Sequence, residues 1–382
     1  MQENQALATL SSAPKVDYYS FLAPTGYTQA AMDNLKSMQV SGVDIALRCV
    51  HGKMVGTGFS VAERNWLASL LSKKHLGIDA QIVHAIPPRW NVIPSSSKRI
   101  ALFVFENEVI QPAWIDQLSK CMGVIVPSRF NLHSLQKAGL KNVHLVHHAV
   151  DVNIWNNDIK SPRIDEYKKI RVITVGTWRQ RKNWKLMVNC MAEAFKSLEN
   201  LEWTIKVDKI NPATTEIKTW LSELGCPDVL GTKIKIDSRI LDEASIARLV
   251  GAHDILLSAS LGEGFGLPAL QASFLGLPVV CPRHGGYEEF FDPMSYFEIK
   301  ASGFSKIPKM DNLPQFDNLE WPIYDKDSIL DALYLCIGNL PKAKELARIV
   351  AEKAAQKFNH KTIGTSFLNV ISSFDAITSN KN

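Results

Sequence analysis

Short runs of apolar and β-branched residues alternate along the chain with longer segments whose apolar positions recur every three or four residues. A short, fully apolar run reads as a strand buried on both faces, and the longer period reads as a helix that covers it. The alternation therefore predicts βα units forming parallel sheets with helices on both sides. Two such series are present. In the first, Val43–Leu47, Ala80–His84, Ile100–Phe105, Gly123–Val126 and Val143–Val146 read as strands, with helices such as Gln29–Met38 and Ala62–Lys73 between them. The second opens with Arg171–Gly176, passes through a helix over Asn183–Leu198, and adds strands at Trp203–Val207, Lys233–Ile236, Asp254–Leu257 and Pro278–Cys281. The polar, irregular stretch Asp151–Lys169 divides the two series and reads as a linker. Residues 300–324 contain Pro and Asn without a clear period, which predicts a long surface loop ahead of helices at Ser328–Ile337, Ala343–Phe358 and Thr362–Ile377.

Composition narrows the class. A chain of 382 residues is long enough for two domains with a core each, and 46% hydrophobic against 21% charged residues excludes wholesale disorder. The six cysteines are scattered with no Cys-x-x-Cys pair, so neither a zinc cage nor a disulfide framework is expected and a reducing, cytoplasmic setting fits. Met1–Lys15 lacks the basic start and apolar run of a secretory signal, and no 18-residue apolar run spans a bilayer. The net charge of +5 divides near residue 160 into 15 − 11 = +4 and 28 − 27 = +1. This mild N-terminal excess, without interleaved aromatics, argues against a nucleic-acid partner and leaves peripheral contact with an anionic membrane open.

Three segments carry chemistry. The first runs from Ser258 through Glu263, Gly264, Phe265, Gly266, Leu267 and Pro268 to Gln271. A strand ends just before it, two glycines permit a tight backbone course, and Pro268 suits the first turn of a helix. Backbone amides of Gly264 to Leu267 then converge at a helix N-terminus, an anion site, with Glu263 just outside and Gln271 one turn inside. The second is Gly176 to Asn183, between a strand and a helix, where Arg179, Arg181 and Lys182 gather at the carboxyl edge of a sheet. Planar Arg forks and a point-charge Lys suit a diphosphate and the negative charge that grows as it leaves. The third is Val126-Pro127-Ser128 followed by His147 and His148 at a strand end. No acidic cluster at ligand spacing accompanies the two histidines, so they are expected to hydrogen-bond between domains and no metal is expected.

In this order, Val126-Pro127-Ser128, the corner from His148 to Asp151, Arg181-Lys182-Asn183, Glu263 to Gln271, and Gly285-Gly286 with Glu289 resemble the retaining glycosyltransferases of family 4. The resemblance implies a GT-B fold, an α/β architecture of two facing Rossmann-like domains. These would be residues 1–160 for the acceptor and 161–360 for the nucleotide sugar, with residues 361–382 as a helix crossing back onto the first. It implies that Lys182, with Arg181 or Arg179, binds the donor diphosphate. Glu263 would hold a hydroxyl of the donor sugar, Gly264, Phe265 and Gly266 would give backbone contacts, and Glu289 would support the distal side of the nucleotide. Thr25-Gly26-Tyr27 resembles the family's first glycine loop. Phe105-Glu106 resembles a subgroup in which Glu stands where many members have an active-site His. His84 and His148 are acceptor-side candidates.

Three positions depart from the family pattern. Gln271 stands where the family has its second Glu, and keeps a carbonyl acceptor for ribose hydroxyls but not the charge. Ala149 replaces a Gly, and Thr177 stands where Arg is common. The expected activity is transfer of a hexosyl unit from a UDP or GDP sugar to a glycan, lipid-linked or protein hydroxyl, with no further cofactor. A binding or regulatory protein that has lost donor turnover, and an epimerase or phosphorylase on the same fold, are the alternatives.

Overall fold

The structure is a computed structural model that describes residues 13–50, 58–156, 169–208 and 210–379. Its first sheet holds β1 (Lys15–Ser20), β2 (Asp44–Cys49), β3 (Ala80–His84), β4 (Arg99–Leu102), β5 (Gly123–Val126) and β6 (Val143–Leu145), all parallel, in the order β2-β1-β3-β4-β5-β6. The second holds β7 (Ile170–Val175), β8 (Leu201–Lys206), β9 (Ile234–Asp237), β10 (Ile255–Leu257), β11 (Val279–Pro282) and β12 (Tyr296–Ile299), also parallel, in the order β12-β11-β10-β7-β8-β9. Both sheets are doubly wound, and each has one point where the strand order reverses: between β1 and β3 in the first, between β7 and β10 in the second. Ligands of such sheets bind outside the carboxyl ends of the strands at these points. The expected boundary near residue 160 lies outside the described residues.

The patterning expected most strands but not β1 or β12. Lys15-Val16-Asp17-Tyr18-Tyr19-Ser20 is too polar to read as a central strand, yet it lies between β2 and β3, with Asp17 held by Arg48 at 3.3 Å and His75 at 2.9 Å.

Helices cover the sheets: α1 (Gly26–Val40), α2 (Val61–Ser72), α3 (Pro112–Ser119) and α4 (Arg129–Lys137) in the first lobe. In the second are α5 (Trp184–Ser197), α6 (Ile210–Glu223), α7 (Glu243–Gly251), α8 (Leu267–Phe274), α9 (Lys326–Gly338) and α10 (Leu340–Lys357). Finally α11 (His360–Ser379) returns to the first lobe, where Ile363, Phe367, Ile371 and Phe374 complete the core beneath α1. Gly364 makes the crossing possible, because a Cβ there would overlap the Ser37 carbonyl of α1.

Residues 300–324 are not the surface loop that their composition suggested. They form an antiparallel hairpin, β13 (Ala301–Ile307) and β14 (Leu319–Tyr324), whose connection buries Met310, Asp311 and Phe316, while β14 buries Trp321. Phe316 stacks on Phe105 of the first lobe at 5.2 Å, so apolar core runs without a break from one lobe into the other.

Candidate active site

The turn after β7 and the loop after β10 leave the second sheet at its reversal point, which brings the two cationic and glycine-rich segments together. A short 3-10 turn, Gln180–Lys182, ends on Asn183, whose left-handed backbone (φ 60°) caps α5. Lys182 lays its stem over Gly176, 3.4 Å from where a Cβ would stand, and its Nζ donates to Glu263 Oε1. Arg181 is only 8% exposed. Its Nη1 donates to the Gly262 carbonyl and lies 3.7 Å from Glu263, and its Nη2 donates to Glu106 Oε1 of the opposite lobe at 3.0 Å. Arg179 instead lies on the surface, where Nη1 donates to the Asp311 carbonyl at 3.4 Å. Of the two arginines between which the sequence left the choice open, Arg181 is the one inside.

These charges set one another's protonation. Burial alone would raise the Glu263 carboxyl, but Lys182 and Arg181 beside it hold it below the ordinary carboxylate range. Burial raises the Glu106 carboxyl, with Arg181 opposing and Glu263 adding to the rise. Burial works against the Arg181 charge, yet Glu106, Glu263 and Asp311 keep the guanidinium more firmly protonated than usual.

The glycines of the Glu263 loop are demanded by the opposite lobe. A Cβ on Gly262 would overlap the Glu106 carbonyl and stand 2.6 Å from Trp321, and one on Gly264 would overlap Val104. Ser128 Oγ donates to the Gly264 carbonyl at 2.7 Å and also caps α4. Gly266 (φ 88°) caps α8, with Pro268 in its first turn and Gln271 buried one turn inside. Phe265 turns its ring into the lobe junction, 5.2 Å from His148, and Leu267 is buried with it.

Glu289, expected on the distal side of the nucleotide, turns its carboxylate to the first lobe. Arg129 donates to it from its backbone N–H and from Nη1 at 2.8 Å, and His147 lies 3.5 Å away, so Glu289 ties the lobes together. Beside this tie a cavity of about 200 Å³ opens between the lobes, lined by Phe130, His133, Lys137, His284 and Glu288 among others.

In the first lobe the reversal point lies between the carboxyl ends of β1 and β3; Gly26 follows the first of these ends and His84 is the last residue of the second. Thr25 caps α1, and the space where a Cβ of Gly26 would point is open. The ring of Tyr27 stacks on His84 at 4.1 Å. His84 is buried, its Nδ1 bonded to Tyr18 OH at 2.9 Å and its Nε2 without a partner. His148 lies 5.9 Å from His84 and bonds Asn34 at 3.3 Å. Burial keeps both rings neutral, with His148 pushed down to about 3. Among the described residues no three His, Cys, Asp or Glu side chains gather as metal ligands.

Residues 126–364, more than half of the chain, match the family model described as "Family 4 Glycosyltransferase in conflict systems". The chain belongs to this family. A curated sucrose synthase from Melioribacter roseus is 25% identical over 155 residues, which is 38% of this chain and 19% of that protein, so the chain spans only a small part of that relative. Among solved structures, sucrose-phosphate synthase from Thermosynechococcus elongatus superposes with a TM-score of 0.71 at 13% identity, covering 95% of this chain and all of that one. Anabaena HepE in complex with UDP and glucose superposes with a TM-score of 0.66 at 14% identity, covering 94% and 100%. The fold of this family 4 member is therefore GT-B.

Three contributors to the candidate site were not expected from the sequence. Asp311 reaches Arg181 from the hairpin, Asn131 holds Phe105 through both its amide groups, and Asn107 donates to the Glu320 carbonyl at 2.8 Å.

Proposed function

We propose that this glycosyltransferase moves a hexosyl unit from a nucleotide diphosphate sugar to an acceptor hydroxyl, with retention at the anomeric carbon and without a metal ion. The observation that carries the reading is the meeting of Lys182, Arg181 and Glu263 at the β7/β10 reversal point, roofed by Glu106 of the other lobe. As the bond to the leaving phosphate breaks, positive charge spreads over the sugar ring and negative charge over the phosphate. Cations fixed beside that phosphate stabilise the transition state more than the ground state. Lys182 exchanges its bond to Glu263 for one to phosphate, which frees the Glu263 carboxylate to accept from a sugar hydroxyl. The backbone N–H groups at the head of α8 add the positive end of a helix dipole. Gln271 offers a carbonyl to the ribose.

UDP or GDP is the leaving group. UDP is supported by the UDP in the HepE complex. The acceptor is a glycan, lipid-linked or protein hydroxyl, presented from the side of Gly26, Tyr27 and His84. Lobe separation admits the donor and closure excludes water.

A panel of UDP and GDP sugars, read by mass spectrometry of the released nucleotide and by calorimetry with UDP and GDP, tests the reading. Binding of one nucleotide, its release from one sugar class, and turnover indifferent to chelator are expected. No heat and no release overturn it and leave a binding or regulatory protein of the same fold.

A further inference from the structure

The β13–β14 hairpin delivers one buried carboxylate to the cationic turn, and no feature of the hairpin itself requires a charge there. Asp311 lies at the inner end of the connection, its side chain 1% exposed, directly after the fully buried Met310. Asp311 and Asn312 both have left-handed backbones, φ 58° and 52°. Two consecutive non-glycine residues in that region persist only where the surroundings impose it, and Asp and Asn are the side chains that tolerate it best.

The surroundings do impose it. Phe316 is stacked on Phe105, Trp321 is packed on Gly262, and Asn107 of the first lobe holds the Glu320 carbonyl. The tip thus held grips the turn twice. Asp311 Oδ1 accepts from the Arg181 backbone N–H at 3.1 Å, and its Oδ2 lies 3.7 Å from Arg181 Nε, an atom with no hydrogen-bond partner. Its own carbonyl accepts from Arg179.

Arg181 is consequently held on two edges by groups of different origin. On the Nη edge are Gly262 and Glu106, the latter carried by the first lobe, while on the Nε edge is Asp311, carried by the same lobe as Arg181 itself. Asp311 therefore holds Arg181 from within its own lobe, whereas Glu106 holds it from across the cleft. We infer that Asp311 is a positioning residue that keeps the Arg181 fork aimed into the cleft. This rests on the diphosphate reading above.

The charge count makes the inference testable by sign. Glu106, Glu263 and Asp311 surround two cations, Arg181 and Lys182. If Asp311 were only a nearby negative charge, removing it would tighten binding of an anion. If it orients Arg181, removing it weakens binding.

The test is calorimetry on the full chain with UDP and with GDP, following whichever binds the wild type more tightly. Asp311→Asn keeps an acceptor for the Arg181 N–H and tolerates the left-handed backbone, so it folds; Asp311→Ala removes both functions. Binding is expected to weaken about tenfold in Asp311→Ala, within the range of directly coupled pairs, and less in Asp311→Asn. In an Arg181→Gln background the Asp311→Asn change is expected to have no further effect, because its only route of action is gone. Unchanged or tighter binding in Asp311→Ala, or a loss that simply adds to that of Arg181→Gln, overturns the positioning role while leaving the diphosphate site intact. Failure of the wild type to bind either nucleotide overturns both.

Discussion

Lys182 and Arg181 are neighbours on the chain with different surroundings. Arg181 is enclosed by three carboxylates and a carbonyl, so its charge is fixed and its fork oriented. Lys182 has the Glu263 carboxylate as its partner and a flexible stem lying over Gly176, so it can change partners at little cost. Removing one donor that stabilises developing negative charge lowers kcat by about 10²–10³-fold. Lys182→Ala is expected to fall in that range, with nucleotide binding still measurable because Arg181 remains. Single-turnover rates with a confirmed donor check it, and near-normal turnover would exclude Lys182 from the chemistry. The charges at this scale were legible in the sequence as a cluster, because three cations gathered at one strand end call for an anion where any one of them alone reads as a solvated basic turn. Which arginine faces inward was not legible, since Arg179 and Arg181 are equivalent until the 3-10 turn and Asp311 select one.

Among the elements, α11 and the hairpin each bridge two parts of the chain. The close approach of α11 to α1 depends on Gly364, and in Gly364→Ala the added methyl has no room against the Ser37 carbonyl. Overpacking of this kind costs about 1–3 kcal/mol. A lower thermal midpoint is therefore expected, together with faster amide exchange in α11 than in α10; an unchanged midpoint would mean that the helices slide apart freely. The α11 pattern was readable because Ile363, Phe367, Ile371 and Phe374 repeat at helical spacing. The hairpin was not readable. Five of the seven residues of β13 are exposed, so no alternation of buried and polar positions marks it, and Pro308 and Pro314 break the pattern between its strands. What holds it, Phe105 and Asn107, lies some 200 residues away in sequence.

At the scale of the whole molecule the lobes also meet at a buried charge cluster. Lys36 of α1 faces Asp151 at 3.1 Å and Glu243 of α7 at 3.6 Å, Asp33 pairs with His360 of α11 at 2.9 Å, and Trp155 donates to Glu243 at 2.8 Å. Burial, with Asp33 and Asp151 adding to it and Lys36 opposing, pushes the Glu243 carboxyl up from 4.5 to about 8. Its folded value exceeds its unfolded one, so between those values the folded state binds more protons. The stability this contributes is complete below about 4.5 and is lost as pH rises through about 8. Glu243→Gln keeps the shape without the titration. Thermal midpoints at pH 6 and pH 9 should show wild type losing more than the variant on going to pH 9, and equal losses would place the proton elsewhere in the cluster.

The amino-acid pattern by itself determined the βα alternation, the two-sheet architecture and the glycine-proline turn before α8, because each follows from short-range periodicity and backbone sterics. It also placed the candidate anion-binding residues at strand ends. Tertiary structure alone decided that Arg181 and not Arg179 is enclosed, that Glu289 ties the lobes together, and that a hairpin inserts Asp311 beside the cations. The physical reason is that burial and charge pairing depend on groups far apart in sequence, and only the closed packing of two lobes sets which of them meet.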